Sequence, residues 1–233
     1  MAPKVFHIEN ELKNDDFRVS IFGSARIKPD EQAYLDTFNL AKEVGKWGVD
    51  LINGGGPGLM EAASLGHKAG DTKNRAHCIG LNIVLPFEQK ANPGLEFLDS
   101  HELFSTRLDE FMLLSNAVVV MSGGIGTCLE LFYTWQLLQV KHVSHMPVIL
   151  VGKMWRKLVD WIIDYPLSDK LMDAADLNFI VVVDNWKQAA KVLKQAKKRH
   201  EAGVGKEAHN WQQYGKKMKK LLKLQELIKE QKS

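Results

Sequence analysis

Cysteine is scarce in this chain, and no apolar run approaches the length needed to cross a membrane. The two cysteines, Cys78 and Cys128, match neither a CxxC element nor a Cys/His zinc pattern, so neither a disulfide framework nor a structural zinc site organises the fold. No stretch reaches the roughly eighteen uncharged apolar residues of a bilayer span. The opening Met-Ala-Pro-Lys-Val-Phe-His also lacks the apolar core of a secretory leader. A soluble cytoplasmic protein with reduced thiols is the expectation.

Several catalytic signatures are missing as well. GxxxxGK[ST] occurs nowhere, and GxGxxG fails at Gly54-Gly-Gly-Pro-Gly-Leu59, where leucine holds the sixth position. HExxH and GxSxG are absent, which disfavours the commonest zinc-hydrolase and serine-hydrolase chemistries. No named lysine is set up for a pyridoxal Schiff base.

What is present is enough for one substantial core, with 233 residues and 45% hydrophobic content. The net charge of +3 conceals two unlike parts. Residues 1–186 carry 17 Lys+Arg against 24 Asp+Glu, whereas residues 187–233 carry 14 against 4. Short β-branched or apolar runs at 18–22, 49–53, 78–83, 117–121, 147–151 and 179–183 read as strands, with a further strand expected near His101 to Phe104. Helical spacing fills the intervals at 31–47, 59–69, 106–116, 126–139, 154–165 and 185–200. Strands that are apolar throughout and alternate with helices predict an α/β fold, a Rossmann-like doubly wound parallel sheet. Residues 1–17 read as an N-terminal extension and 18–200 as the nucleotide-binding domain. Residues 201–233 read as a basic amphipathic helical tail, which could pack on the domain, join an oligomer contact or touch nucleic acid.

Ligands of open parallel sheets gather beyond the carboxyl ends of the strands, where helix N-termini present free amides. Three glycine-bearing turns fall there: Gly23-Ser24, Gly54 to Gly58, and Gly123 to Thr127. The last lies within Ser122-Gly-Gly-Ile-Gly-Thr-Cys-Leu-Glu130, which places backbone donors and a threonine hydroxyl ahead of a carboxylate. Such a turn suits a phosphate, and a helix N-terminus would favour the ionised form of Glu130. A carboxylate beside a bound phosphosugar can orient water or stabilise an oxocarbenium-like centre at C1′. A simple helix cap or an ion pair is the competing structural role of Glu130. For Arg107, the competing role is a surface ion pair with Glu110, three residues on.

At these residues the chain resembles the LONELY GUY (LOG) family of cytokinin-activating phosphoribohydrolases, long labelled lysine decarboxylases, whose mark is PGGxGTxxE. Gly123, Gly124, Gly126, Thr127 and Glu130 match, with Ser122 at the proline position. Arg107 supplies the arginine expected fifteen positions earlier, while Leu108 and Leu129 depart from a basic and an acidic residue usual in the family. Ser20 to Arg26, Gly54 to Ala62 and Gly80 to Gln89 extend the similarity to the longer bacterial branch. The resemblance implies a homodimer or higher homo-oligomer that releases base and ribose 5-phosphate from a nucleoside 5′-monophosphate, AMP or an N6-modified cytokinin nucleotide. It implies no metal and no cofactor. Arg107 and Glu130 would serve catalysis, Gly123, Gly124, Gly126 and Thr127 would hold the phosphate, and Gly23, Ser24, Gly54, Gly55, Gly56, Gly58, Met60 and Glu61 would shape the base and ribose pocket. A non-catalytic nucleotide or molybdenum-cofactor carrier is the alternative.

Overall fold

The computed structural model of the chain describes residues 3–86 and 90–203. Its strands are β1 (Lys4–Val5), β2 (Arg18–Phe22), β3 (Asp50–Asn53), β4 (Cys78–Ile83), β5 (Phe97–His101), β6 (Ala117–Val120), β7 (Val148–Val151) and β8 (Ile180–Val183). The helices are α1 (Ile8–Glu11), α2 (Gln32–Lys46), α3 (Leu59–Gly70), α4 (Phe104–Leu114), α5 (Ile125–Gln139), α6 (Lys153–Ile162) and α7 (Trp186–Glu201). The strands form one sheet in the order β1-β5-β4-β3-β2-β6-β7-β8, and every neighbouring pair is parallel.

Both faces of the sheet are covered, which is why its central strands are apolar throughout. Val19 and Ile21 of β2, with Ala117 and Val119 of β6, pack under Leu40, Ala41 and Val44 of α2, Ala62 and Ala63 of α3, and Leu193 of α7. Phe22 of β2 and Val118 and Val120 of β6 point the other way, into a second core with Phe111 of α4, Leu131 and Leu138 of α5, and Trp155 of α6. The chain winds outward from β2 through β3, β4 and β5, then restarts beside β2 with β6 and runs to β8. This reversal makes a topological switch point between β2 and β6, where the connections diverge and leave a crevice.

One segment differs from the sequence expectation. The strand expected near His101 to Phe104 runs instead over Phe97–His101, paired with β4 from Ile79↔Phe97 to Ile83↔His101. Asp99 and Ser100 break its apolar pattern because this strand is only half covered, and Phe104 opens α4. Residues 3–17 are tied to the domain: β1 pairs with β5, Phe6 and Ile8 are buried, and Arg18 bridges Glu11 and Asp50 at 3.4 and 3.5 Å. At the other end α7 closes at Glu201, followed by Gly203 with φ +71°. Beyond Gly203, the basic helical tail expected over 201–233 lies outside the described residues. Among those described, no helix is long and apolar enough to cross a membrane.

Candidate active site

The turns after β2, β3 and β6 interlock at one end of the sheet. The Ser24 amide donates to the Ser122 carbonyl at 3.0 Å, and the Ser24 carbonyl accepts from the Leu59 amide at 2.9 Å, so the first turn bridges the other two. Gly23 abuts Leu59, and Gly58 caps the start of α3. The turn after β3 is pinned by two asparagines. Asn53 Oδ1 accepts from the Gly55 amide at 2.8 Å and Asn53 Nδ2 donates to Ser64 Oγ at 2.8 Å. Asn92 donates through its backbone to Gly55 O at 2.9 Å and through Nδ2 to Gly56 O at 3.1 Å. Asparagine ending a strand before a glycine run is a turn signal readable in the sequence; Asn92 is remote, and nothing local marks it.

Arg107 reaches this end of the sheet from α4. Its Nε donates to Leu81 O at 2.7 Å, its guanidinium carbon sits 5.2 Å from the Phe111 ring centre, and Nη2 lies 3.4 Å from Glu130 Oε1 on α5. Both side chains are buried. The guanidinium passes directly over Gly54, where a Cβ would stand 2.4 Å from Nη2 and 2.6 Å from Met60 Sδ. Gly54 is therefore a requirement of the arginine's position. Arg107 does not adopt the surface pair with Glu110; that carboxylate turns to His101, whose Nε2 is 3.0 Å away.

Glu130 lies beyond the first turn of α5, which begins at Ile125. The helix dipole acts chiefly within that first turn, and burial outweighs it. Removal from water pushes the Glu130 carboxyl up to about 7, with Arg107 pulling the other way. Burial similarly pulls the Arg107 guanidinium down, opposed by Glu130. A buried ion pair is a poor device for stability, whereas a carboxyl poised near neutrality in a crevice is suited to proton chemistry.

The beginning of α5 is open. Gly124 caps the helix with no side-chain hydrogen bond, and the Cys128 amide is the first to reach back, to Gly124 O at 2.9 Å. The amides of Ile125, Gly126 and Thr127 are the orphan donors of this terminus. A Cβ added at Gly124 or Gly126 would meet nothing within 4 Å, so free space stands above them. Thr127 is buried beside Gly123, where a Cβ would lie 2.1 Å from its Oγ1.

The structure thus brings Gly54, Met60, Arg107 and Glu130 into contact and sets Gly123, Gly124, Gly126 and Thr127 at the opening of the same helix that carries Glu130. Gly55 packs instead on Gly80, Leu95 and Leu98. Glu61 lies near Tyr34 of α2, whose phenol is raised by burial and then by this carboxylate. Leu108 is buried in the core side of α4, while Leu129 is exposed on α5. A tie that sequence reasoning missed joins α4 and α5, the Tyr133 hydroxyl donating to the Asp109 carboxylate.

Residues 60–193 match the family described as "possible lysine decarboxylase". The pyrimidine/purine nucleotide 5′-monophosphate nucleosidases of Escherichia coli strains K12 and O157:H7 are each 26% identical over 178 residues, covering 72% of this chain and 38% of the relative. The chain therefore spans well under half the length of these curated relatives. Among solved structures, the molybdenum cofactor binding protein of Rippkaea orientalis is 19% identical with a TM-score of 0.56, covering 77% of this chain and 96% of that one. The molybdenum cofactor carrier protein of Chlamydomonas reinhardtii is 21% identical with a TM-score of 0.56, covering 78% and 98%. At these identities the structures share the Rossmann-like α/β fold. With more than half of its 233 residues matched, the chain belongs to the possible lysine decarboxylase family, the LOG-like group to which its glycine-rich motif and Arg107 pointed.

Proposed function

We propose that the chain hydrolyses the N-glycosidic bond of a nucleoside 5′-monophosphate, AMP or an N6-modified adenine nucleotide, to free base and ribose 5-phosphate. The observation that carries this reading is the buried Arg107–Glu130 pair, 3.4 Å apart, Glu130 lying on α5, the helix whose N-terminus faces open space. A 5′-phosphate seated on the amides of Gly124 to Thr127 gains from the helix terminus and its orphan donors. The ribose then extends toward Glu130. The C1′–N bond breaks with its electron pair leaving on the base, and a water oxygen bonds to C1′ as its proton passes to the Glu130 carboxylate. The departing base takes its proton from solvent. Arg107 offers a planar donor fork to the phosphate or ribose oxygens. The 26% identity to nucleotide 5′-monophosphate nucleosidases supports the reaction class.

The test is release of adenine from AMP by the purified protein. Glu130→Gln is expected to lower release by at least ~10²-fold, the lower end for a general base, while AMP still protects the protein against thermal unfolding. Binding without turnover in both proteins would instead make the pocket a carrier site, as the names of the molybdenum-cofactor neighbours would have it.

A homodimer or higher homo-oligomer is part of the same proposal. Ile125, Leu129, Phe132 and Val140 leave an exposed apolar stripe on α5, the helix that bears Glu130, and contiguous patches of this kind mark interaction surfaces.

A further inference from the structure

One turn beyond Arg107 on α4, Glu110 faces the end of β5, where three ligand-type side chains converge. His101 Nε2 lies 3.0 Å from a Glu110 oxygen and 3.7 Å from an Asp99 oxygen. The ligand atoms of all three residues lie within 4.8 Å of one another. Glu110 is fully buried and His101 nearly so.

The hydrogen bonds around them leave a charge problem. The Thr106 hydroxyl donates to Leu103 O at 3.0 Å, so at 3.3 Å its oxygen accepts from His101 Nδ1. With Nδ1 engaged by Thr106, Nε2 faces two carboxylates. Neither Glu110 oxygen nor His101 Nε2 has a hydrogen-bond partner, the 3.0 Å approach being poorly aligned for one. A buried carboxylate and an imidazole nitrogen that converge without well-aligned hydrogen bonds are a costly arrangement that a cation relieves.

We propose that Asp99, His101 and Glu110 bind one divalent transition-metal ion of the zinc class. Two carboxylates and an imidazole are zinc-type ligands. Their separations bracket the roughly 3.3 Å edge of a tetrahedron with bonds of about 2.0–2.1 Å. Magnesium and calcium, which call for about six or more oxygen ligands, fit this donor set less well. Thr106 supplies the outer hydrogen bond that orients a ligating histidine. The Asp99 side chain, 31% exposed, marks the entry side and leaves the fourth position to water. Held between β5 and α4, the ion ties the helix that carries Arg107 to the sheet. The comparable group of Glu11, Asp50 and His77 at the opposite end of the sheet already has a cation, Arg18 standing 3.4 Å from Glu11 and 3.5 Å from Asp50.

The full chain, stripped with a chelator and dialysed against limiting Zn²⁺ or Co²⁺, is expected to retain about one equivalent by elemental analysis. The Co²⁺ form should show the strong visible absorption of a four-coordinate site. Asp99→Asn, a change at a half-exposed position that the fold tolerates, should weaken binding at least ~10-fold, and Glu110→Gln should abolish it. Should Glu110→Gln fail to fold, Asp99→Asn alone decides. Failure of the wild-type chain to retain stoichiometric metal overturns the proposal and leaves His101 and Glu110 sharing a proton. Equal retention by wild type and Asp99→Asn overturns it too, by placing the metal elsewhere.

Discussion

Gly54 and Glu130 bracket Arg107, and each gives it a different kind of constraint. A methyl group on Gly54 would collide with the arginine's Nη2 and with Met60 Sδ, both ends of flexible side chains that can swing aside. Gly54→Ala is therefore expected to fold with a Tm within a few degrees of wild type while cutting adenine release by ~10²-fold, since misplacing a reacting group by about 1 Å costs that much. A loss of folding equal to the loss of activity would show that the turn itself, and not the arginine, needs the glycine. Glu130 makes the pH dependence. Its folded carboxyl is raised from 4.5 to about 7, so between those values the folded state holds a proton that the unfolded state releases. Stability from this group is thus full below the unfolded value and is lost as pH rises through about 7, by about 3 kcal/mol in all. Urea unfolding at about pH 5 and about pH 8 should show this slope in wild type and not in Glu130→Gln. For the proposed hydrolysis the expected trend is opposite, kcat/KM rising with pH to a plateau as Glu130 ionises.

Among the helices, α4 and α5 carry the Arg107–Glu130 pair between them, and α5 has apolar residues on every side. Its inner face supplies Leu131, Leu137 and Leu138 to the core, while Ile125 is 88% exposed and Leu129 and Phe132 about two fifths. A helix apolar all round is normally covered all round. If a second copy covers this face, Leu129→Glu with Phe132→Glu should convert an oligomer to monomer in sedimentation, and retention of the wild-type mass would place the contact elsewhere. The spacing of Arg107 and the motif ending at Glu130 was legible in the sequence, and so were the helices that carry them. Their 3.4 Å contact was not, because it depends on how α4 and α5 pack across the end of β4 and β6. For the same reason the helical spacing of Arg107 and Glu110 offered a local partner that tertiary packing withholds. β5 escaped because Asp99 and Ser100 interrupt the apolar pattern from which buried strands are read.

For the whole molecule, the doubly wound sheet follows from strands such as β6, four apolar residues buried on both faces. The place of the N-terminal segment does not, since Lys4–Val5 is too short to carry any periodicity and gains its strand only from pairing with β5. The sheet's two ends are dissimilar in purpose. At the amino ends of β2 and β3, Arg18 knits Glu11, Asp16 and Asp50 together, beside a cavity of about 560 Å³ lined in part by His77, Lys197 and His200. At the carboxyl ends lies the open crevice. The edge strand β1 has a further consequence. It is only two residues long, with both side chains exposed and a lysine among them, and a short charged edge offers little template for another chain's backbone. Copies of this protein that meet are not expected to pair through β1, so the sheet neither lengthens nor stacks into fibres along that side.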